Sequence, residues 1–333
     1  MTDAPPPLDV VCMGETLVDF LPAETGRRVR EVSSWMPHIG GSLANVAVGL
    51  ARLGARSGLV SVLGSDEFGH FLRERIAAEG VDVSHVRQTK EARTGLVFIS
   101  LDARGERSFT FFRTKSAEFL LGEQDVDPRF LERARVLHWG SNSLHLPEAR
   151  VAVQRAVEFM RGAGRIVSCD PNLRLHAWAD PSEPKGILER LLPLCTVVKI
   201  SEEEMPFVTG HTDTSAALEF LHGMGVVLPV VTLGEKGAAF LWQGQEVRVS
   251  APRVQVVDTT GAGDGFVSAF LYGLTRRYTD ARVLLGASTE SLLELATFAC
   301  RVGARVVEHL GAVPGLPRAA EITDQMPEDL RPR

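Results

Sequence analysis

The chain has 333 residues, 44% hydrophobic and 23% charged, which is typical of a folded protein with a sizeable core in one large or two modest domains. The formal net charge of −6 and the lack of a basic run with interleaved aromatics argue against a nucleic-acid partner. The apolar runs are too short for a bilayer and residues 1–7 do not resemble a signal peptide, so we expect a cytoplasmic protein that does not bind membranes.

Apolar strand-like runs alternate with amphipathic helix-like stretches. In chain order we predict a strand at 10–13, a helix at 43–53, a strand at 59–63, a helix at 66–79, a strand near 136–139, a helix at 148–161, and strands near 166–169, 196–200 and 230–233. This βαβ rhythm predicts an α/β fold with a mostly parallel sheet and helices on both of its faces.

Two stretches interrupt this rhythm. Residues 96–101 and 107–112 are strand-rich and are joined by a turn at 103–106, which predicts a β-hairpin. Residues 17–32 have β character around a turn at Gly26. Together they predict a small β lid, formed by about 17–38 and 94–116, that excludes water from a ligand cleft. The alternative is a surface hairpin without a functional role.

The cysteines and the C-terminal residues carry little functional signal. Cys12, Cys169, Cys195 and Cys300 are scattered, mostly within apolar runs, and no CxxC pair occurs. We therefore expect buried thiols in a reducing compartment rather than metal or redox chemistry. Residues 319–333 are polar and contain proline, which predicts a loose tail.

The most informative motif is DTTGAGDGF at 258–266. An apolar run at 254–257 predicts a strand before it, and 267–274 predicts a helix after it, so free N–H groups and the helix dipole converge on an anion site. Gly261 and Gly263 let the backbone approach a bulky anion. A carboxylate at Asp264 suits a base that takes the proton of a hydroxyl attacking a phosphate.

Other interpretations of this motif are weaker. Asp264 in a plain turn would only stabilise the helix dipole. A dinucleotide fingerprint fails because Phe266 stands where its third glycine is required. No GxxxxGK[ST] sequence occurs, so P-loop chemistry is not indicated.

DTTGAGDGF resembles the C-terminal signature of the ribokinase-like (PfkB) carbohydrate kinases. The stretch GGSLANVAV at 40–48, followed by Leu53 and Gly54, resembles their N-terminal signature, and the similarity extends over about 10–317. The resemblance implies a three-layer α/β/α ribokinase-like fold in a kinase domain at 8–318, with a mostly parallel sheet and a small β lid. It also implies ATP as phosphate donor and Mg²⁺ as helper.

The resemblance further implies roles at the reacting centre. Asp264 would be the catalytic base, and the amides of Gly261, Ala262, Gly263 and Asp264 would form an anion hole. Four residues match positions that hold sugar hydroxyls, which suits a carboxylate and an amide side chain: Asp19, Gly40, Gly41 and Asn45. Without the signature, Asn45 would be an ordinary helix-surface residue and Asp19 a turn former.

Nucleotide-side roles follow from two further motifs. TLGEKG at 232–237 resembles the ATP-phosphate loop of the family, with Thr232, Gly234, Lys236 and Gly237 as its members. SEEE at 201–204 stands where the family has Asn-x-x-Glu. The simpler interpretations are a β-turn and an acidic first helical turn.

These motifs imply specific ligands. Ser201 would contact the nucleotide, and Glu204 would hold Mg²⁺ through water, as suits a hard anionic donor. Cys300 falls near the family's adenine pocket. The family often uses a monovalent cation near the carbonyls of Asp258 and Thr260, so K⁺ is a further expectation.

The acceptor sugar is suggested by three runs. DPNLRL at 170–175 with Trp178, FxFxR at 109–113 followed by Ser116 and Ala117, and SEEE resemble runs in family members that act on fructose. We therefore predict transfer of the γ-phosphate to a primary hydroxyl of D-fructose, giving fructose 6-phosphate, and assign Asp170 to the substrate.

Alternatives remain open. Arg113 and Arg174 also resemble residues that bind 2-keto-3-deoxygluconate, and two arginines can grip a carboxylate. Aminoimidazole riboside or another furanose is a further option, as is a non-catalytic sugar-binding regulator on the same fold. A nicotinamide oxidoreductase would show an absorbance change and no ADP. A homodimer through the β lid is an additional expectation.

Overall fold

A large mixed sheet forms the centre of the fold in the computed structural model, which describes residues 6–24, 26–101, 107–178, 180 and 182–331. The strands are β1 (Leu8–Met13), β2 (Leu17–Pro22), β3 (Trp35–Gly40), β4 (Ser57–Gly64), β5 (Asp82–Thr89), β6 (Leu96–Leu101), β7 (Arg107–Phe112), β8 (Ala134–Trp139), β9 (Ile166–Cys169), β10 (Val197–Ser201), β11 (Leu228–Thr232), β12 (Ala238–Trp242) and β13 (Gln245–Val249). The helices are α1 (Ser42–Arg52), α2 (Glu67–Ala78), α3 (Pro128–Glu132), α4 (Pro147–Gly162), α5 (Glu183–Leu191), α6 (Met205–Thr209), α7 (Thr214–Gly223), α8 (Ala262–Arg277), α9 (Ala281–Leu284), α10 (Thr289–Val306) and α11 (Ala312–Gly315).

The nine-stranded sheet has the order β13-β12-β11-β10-β9-β8-β1-β4-β5. Its neighbouring strands run parallel, except that β12 is antiparallel to both β11 and β13. From β1 the chain first adds β4 and β5 on one side and then β8 to β11 on the other. Ligands bind at the carboxyl ends of the strands beside such a reversal of strand order.

Helices cover both faces of this sheet, so the predicted three-layer α/β/α fold is confirmed. Along β1, Val10 and Cys12 join the buried cluster that contains α1, α8 and α10. Val11 and Met13 point the other way, into the cluster that contains α4, α5 and α7. This alternation on a strand buried on both faces is what a parallel sheet between two helical layers requires.

A separate four-stranded sheet stands beside the main one, with the order β3-β2-β6-β7. The predicted hairpin is confirmed in its strands: β6 pairs antiparallel with β7, with Ile99 opposite Phe109. The predicted turn at 103–106 lies outside the described residues. Beyond the predicted β stretch around Gly26, strand β3 completes the sheet by pairing with β2.

The strand predicted at 254–257 is wrong. Residues 251–257 form neither strand nor helix, and Val256 is 59% exposed. The amide of Val257 donates to the carbonyl of Val307 (2.8 Å), so this segment follows the end of α10 instead of joining a sheet. An apolar run forms a strand only where a neighbouring strand pairs with it.

The loose tail predicted at 319–333 is also wrong for its described part. Ile322, Met326 and Leu330 are each at most 2% exposed and belong to the cluster that holds α8 and α10. The Tyr272 hydroxyl donates to the carbonyl of Leu330 (2.7 Å). The apolar side chains recur every four residues, and they bury one side of an otherwise polar segment.

The four cysteines are buried and free, as predicted. Within the described ranges, every helix is too short or too polar to cross a membrane.

We expect that Ile322→Ala lowers the free energy of unfolding by about 2–5 kcal/mol, because a buried aliphatic side chain is removed from a packed core. Denaturant unfolding measures this change. Asp324→Ala, at an exposed site on the same segment, is the control and should change it little. A cost below about 0.5 kcal/mol for Ile322→Ala would mean that the tail is not part of the core.

Candidate functional site

A cleft of about 1400 Å³ opens between the carboxyl ends of the central strands and the four-stranded sheet. The four-stranded sheet contributes mainly apolar side chains to its wall, among them Leu17, Val97, Ile99 and Phe111. The main sheet contributes polar residues that follow its strands. The cleft is therefore polar at the strand ends and apolar on the side of the small sheet.

Asp264 lies in this cleft in the first turn of α8 and is 8% exposed. Its two oxygens are held from α1: the Ser42 hydroxyl donates to Oδ1 (2.7 Å) and Asn45 Nδ2 donates to Oδ2 (2.8 Å). Burial raises the pKa of Asp264, and the bonds from Asn45 and Ser42 oppose that rise. Asn45, predicted to hold the sugar, contacts the expected base in this structure.

The turn before α8 has the form that an anion site requires. Gly261 has φ +82°, and a Cβ atom there would clash with Ala312. The amide of Ala262 was expected to be a free donor in the anion hole. It instead donates to the Thr259 carbonyl (3.3 Å). The amides of Gly263 and Asp264 belong to the first helical turn, where N–H groups lack intrahelical partners.

Asp258 fixes this turn from below. Its Oδ1 accepts from the Thr260 amide (2.9 Å) and the Thr260 hydroxyl (2.8 Å), and its Oδ2 accepts from the Gly311 amide (2.9 Å). The side chain is 2% exposed and does not line the cleft. Its carboxylate therefore shapes the backbone.

Lys199 is a cleft residue that the sequence analysis missed. Its Nζ lies 2.9 Å from Asp170 Oδ2, and the two residues are 8% and 3% exposed. A Cβ atom on Gly263 would lie 3.2 Å from Nζ, so the ammonium group stands against the glycine turn. Burial alone would lower the pKa of Lys199, but the charges of Asp170 and Glu204 raise it, which keeps a cation at the anion site. A lysine within the apolar strand β10 was the available signal.

Glu204 is held by the backbone. Its two oxygens accept from the amides of Leu173 (2.7 Å) and Ser201 (2.8 Å). Ser201 is the last residue of β10 and α6 begins only at Met205, so Ser201 is not the N-cap of a helix. Each Glu204 oxygen keeps lone pairs, which fits a metal-bound water better than direct coordination.

The predicted phosphate loop follows β11. Gly234 has φ +58° and Gly237 has φ +105°, which favours glycine at both positions. Lys236 is exposed and pairs with Glu202 at 3.1 Å. Cys300 lies farther along the cleft in α10, and burial raises its pKa to about 12, so its thiol stays neutral.

Two buried acids stand at the other end of the cleft. Burial raises the pKa of Asp19 to about 8, and the Asp264 charge adds to the rise. Glu15, which the sequence analysis missed, is 1% exposed; its Oε1 accepts from the Ser42 amide (2.9 Å), and burial raises its pKa to about 7. A Cβ atom on Gly41 would lie 2.6 Å from the Glu15 carbonyl oxygen, so only glycine fits there.

The two predicted arginines differ in setting. Arg113 is 9% exposed, and its Nε donates to Glu118 Oε1 (2.9 Å). Arg174 is exposed, and its Nη1 donates to the carbonyl of Leu173 (3.0 Å). Both line the cleft, yet only Arg113 has a carboxylate partner in the described part of the chain.

The cleft brings most of the predicted site residues together, while Gly40 and Asp258 lie behind its wall. Lining it are Asp19, Gly41, Asn45, Arg113, Asp170, Arg174, Ser201, Glu204, Thr232, Gly234, Lys236, Gly237, Thr260, Gly261, Ala262, Gly263, Asp264 and Cys300. Their individual roles remain predictions.

The family model, the similar sequences and the similar structures all indicate the same family of sugar kinases. The model of the pfkB family carbohydrate kinases matches residues 7–319. Fructokinase-2 of Solanum habrochaites is 38% identical over 94% of this chain and 94% of its own. The crystal structure of Xylella fastidiosa fructokinase with bound ATP has a TM-score of 0.87 at 32% identity, covering 95% of this chain and 97% of its own. Salmonella enterica aminoimidazole riboside kinase, complexed with aminoimidazole riboside and an ATP analog, gives 0.82 at 29% identity, covering 95% and 99%.

The pH dependence of turnover tests the environment of Asp264. Only the ionised carboxylate accepts a proton, so we expect kcat to fall as the pH drops through a pKa above the usual value of about 3.9. Asn45→Ala removes a bond that favours the ionised form, so its acid limb should move to higher pH than that of the wild type.

Ser268→Ala is the matched control, because the Ser268 hydroxyl donates to the Asp264 carbonyl (2.7 Å) and not to its carboxylate. Its acid limb should stay in place. An acid limb that Asn45→Ala leaves unmoved would contradict the assignment of Asp264 as the titrating group.

Proposed function

The chain belongs to the pfkB family of carbohydrate kinases and is a phosphotransferase that acts on a sugar, and from this premise we propose that it transfers the γ-phosphate of ATP to a primary hydroxyl of D-fructose. The product is fructose 6-phosphate. The observation that carries the proposal is the position of Asp264, a buried carboxylate at the glycine turn that opens α8.

Asp264 acts as the general base. Ser42 and Asn45 hold its carboxylate in one orientation, and its raised pKa makes it a better proton acceptor than an exposed aspartate. The primary hydroxyl gives its proton to Asp264 as its oxygen attacks the γ-phosphorus. The bond between the phosphoryl group and ADP breaks as the new ester bond forms. Positioning of the two reactants supplies much of the rate of such a transfer.

The negative charge of the migrating phosphoryl group is met by the turn. The amides of Gly263 and Asp264 and the positive end of the α8 dipole point to this place. The Lys199 ammonium, held by Asp170, places a hydrogen-bond donor of positive charge beside Gly263. Fixed donors in a water-poor cleft stabilise charge more strongly than water does.

ATP extends from this turn along the other half of the cleft. The loop with Thr232, Gly234 and Gly237 would carry its phosphates, and the region of Cys300 would receive its adenine. Glu204 would hold Mg²⁺ through water, and the ion would neutralise charge on the phosphates when bound. The likeness of 95% of this chain to the fructokinase of Xylella fastidiosa, solved with bound ATP, supports ATP as the phosphate donor.

The sugar occupies the end of the cleft with Asp19 and the Gly41 backbone, and Gly40 lies behind Asp19. A Cβ atom on Gly40 would lie 2.6 Å from Asp19 Oδ1, so glycine at that position leaves room for the carboxylate. Asp19 can accept or donate hydrogen bonds because its pKa of about 8 lies near neutrality. The names of curated relatives favour fructose, whereas the solved structures include an aminoimidazole riboside kinase.

Comparison of kcat/KM for fructose, 2-keto-3-deoxygluconate and aminoimidazole riboside tests the proposed sugar directly. ADP release with ATP and Mg²⁺ is the readout. We expect fructose to give the highest value. A value at least tenfold higher for either rival would replace fructose as the substrate.

A monovalent cation and a dimer complete the proposal. The Asp258 carboxylate holds the turn whose carbonyls would bind K⁺, so activity should rise when K⁺ replaces tetramethylammonium, and a flat response would refute the site.

The small sheet would form the dimer contact, with exposed Phe109 (41%) and Phe112 (61%) at its surface. A monomeric mass in solution at micromolar concentration would refute the dimer.

We expect Asp264→Asn to lower kcat by ~10²–10⁴, because the amide cannot accept the proton, while the fold stays intact. Steady-state ADP release measures kcat, and thermal unfolding checks the fold. Asp324→Asn makes the same chemical change at an exposed site, so it is the control and should keep wild-type activity. Near wild-type turnover in Asp264→Asn would defeat the mechanism.

A further inference from the structure

Arg113 is fixed at the sugar end of the cleft by a buried carboxylate. It follows strand β7 directly, and Glu118 lies in the single-turn helix Ala117–Leu120 that comes next. The Arg113 Nε donates to Glu118 Oε1 (2.9 Å), and the Glu118 side chain is 0% exposed. Glu118 is therefore committed to this arginine, and solvent does not reach it.

The surroundings hold this pair in one geometry. A Cβ atom on Gly95 would lie 2.6 Å from Glu118 Oε1, so the glycine makes room for the carboxylate. The Arg113 guanidinium carbon lies 5.1 Å from the centre of the Phe119 ring, and Nη2 lies 3.5 Å from the Asn142 carbonyl oxygen. The guanidinium is thus fixed on several sides before any ligand arrives.

Arg113 is the buried cation of a region that is rich in carboxyl groups. Besides Glu118, the acids Glu15 and Asp19 are close enough for its positive charge to lower the pKa of both. Arg174, the other arginine of this region, is exposed and bonded to backbone carbonyls of its own loop. One buried cation therefore faces three buried acids.

We propose that Glu118 is a specificity-determining residue: by neutralising Arg113, it makes the guanidinium a hydrogen-bond donor to a neutral sugar and prevents it from acting as a clamp for a sugar acid. The inference deepens the proposed function and rests on it. Glu118 acts through Arg113 and does not touch the substrate.

The physical reason is competition for one guanidinium. A carboxylate is bound most strongly by two parallel N–H groups and an uncompensated positive charge. In Arg113 the Nε group is already bonded to Glu118, and the charge is already paired. A sugar acid would add another negative charge to this end of the cleft, whereas a hydroxyl needs only a donor.

Glu118→Gln tests this directly. Glutamine keeps the shape and an oxygen that accepts from Arg113, but it removes the charge. We expect the ratio of kcat/KM for 2-keto-3-deoxygluconate to that for fructose to rise by about tenfold or more. Calorimetry without ATP, with D-gluconate and fructose as ligands, should show the same change in the ratio of affinities.

Two controls separate charge from structure. Glu118→Asp keeps the negative charge, so its ratio should stay within about twofold of wild type. Glu123→Gln removes an exposed carboxylate, paired with Arg155, from the same region and should leave the ratio unchanged. If Glu118→Gln lowers kcat/KM for both substrates by the same factor, the residue is only structural and the proposal is overturned.

A second variant covers the case in which Glu118→Gln does not fold. Assayed at a pH above the Glu15 pKa of about 7, Glu15→Gln also removes a negative charge close to Arg113, and its oxygen can still accept from the Ser42 amide. Its ratio should rise as well, and an unchanged ratio would overturn the proposal. If the wild type phosphorylates no neutral sugar, the proposed function fails, while the calorimetric ratio still tests Glu118 independently.

Discussion

The rest of the site depends on the two hydrogen bonds that side chains of α1 donate to the Asp264 carboxylate. Ser42 and Asn45 lie 222 and 219 positions before Asp264, so the site exists only when both ends of the chain are packed. The close approach of α1 and α8 requires Gly49, because a Cβ atom there would lie 2.8 Å from Ser268 Cβ. Without that approach, the buried carboxylate would have no donors, which costs more than the bonds themselves contribute.

The cleft contains two buried ion pairs. Lys199 with Asp170 stands beside the glycine turn at Gly263, and Arg113 with Glu118 stands near Glu15 and Asp19. Breaking such a pair by removing one partner costs roughly 3–5 kcal/mol, so each pair holds its cation in place. Burying charged groups destabilises a fold, and such groups occur where fixed charge stabilises a reaction or selects a ligand.

The glycine turn, the helix that follows it and the place of Asp264 in the cleft could be predicted from the sequence because their signals are local. The glycines and Asp264 lie within a few residues of one another, and their spacing predicts an anion site with a base. Glu15 and Glu118 gave no such signal, and Lys199 gave only its unusual place in an apolar strand, because their roles depend on partners from other elements. For Lys199 the partner Asp170 is 29 positions away, directly after the neighbouring strand β9.

The wrong predictions have a common cause in tertiary packing. The apolar character of residues 254–257 predicts a strand, but none of the strands in the described part of the chain pairs with them. The segment after Pro317 is polar on average, while Ile322, Met326 and Leu330 are buried one by one. Average composition hides a pattern of single buried side chains, and propensity gives way to the partners that the fold supplies.

The central claim is that Asp264 meets the hydroxyl that attacks the phosphate. A crystal structure with fructose and a non-hydrolysable ATP analogue tests it most directly. The account predicts that the primary hydroxyl oxygen lies about 2.6–3.2 Å from an Asp264 oxygen, with the γ-phosphate at the amides of Gly263 and Asp264. A sugar whose primary hydroxyl faces another group, with Asp264 bonded only to Ser42 and Asn45, would contradict it.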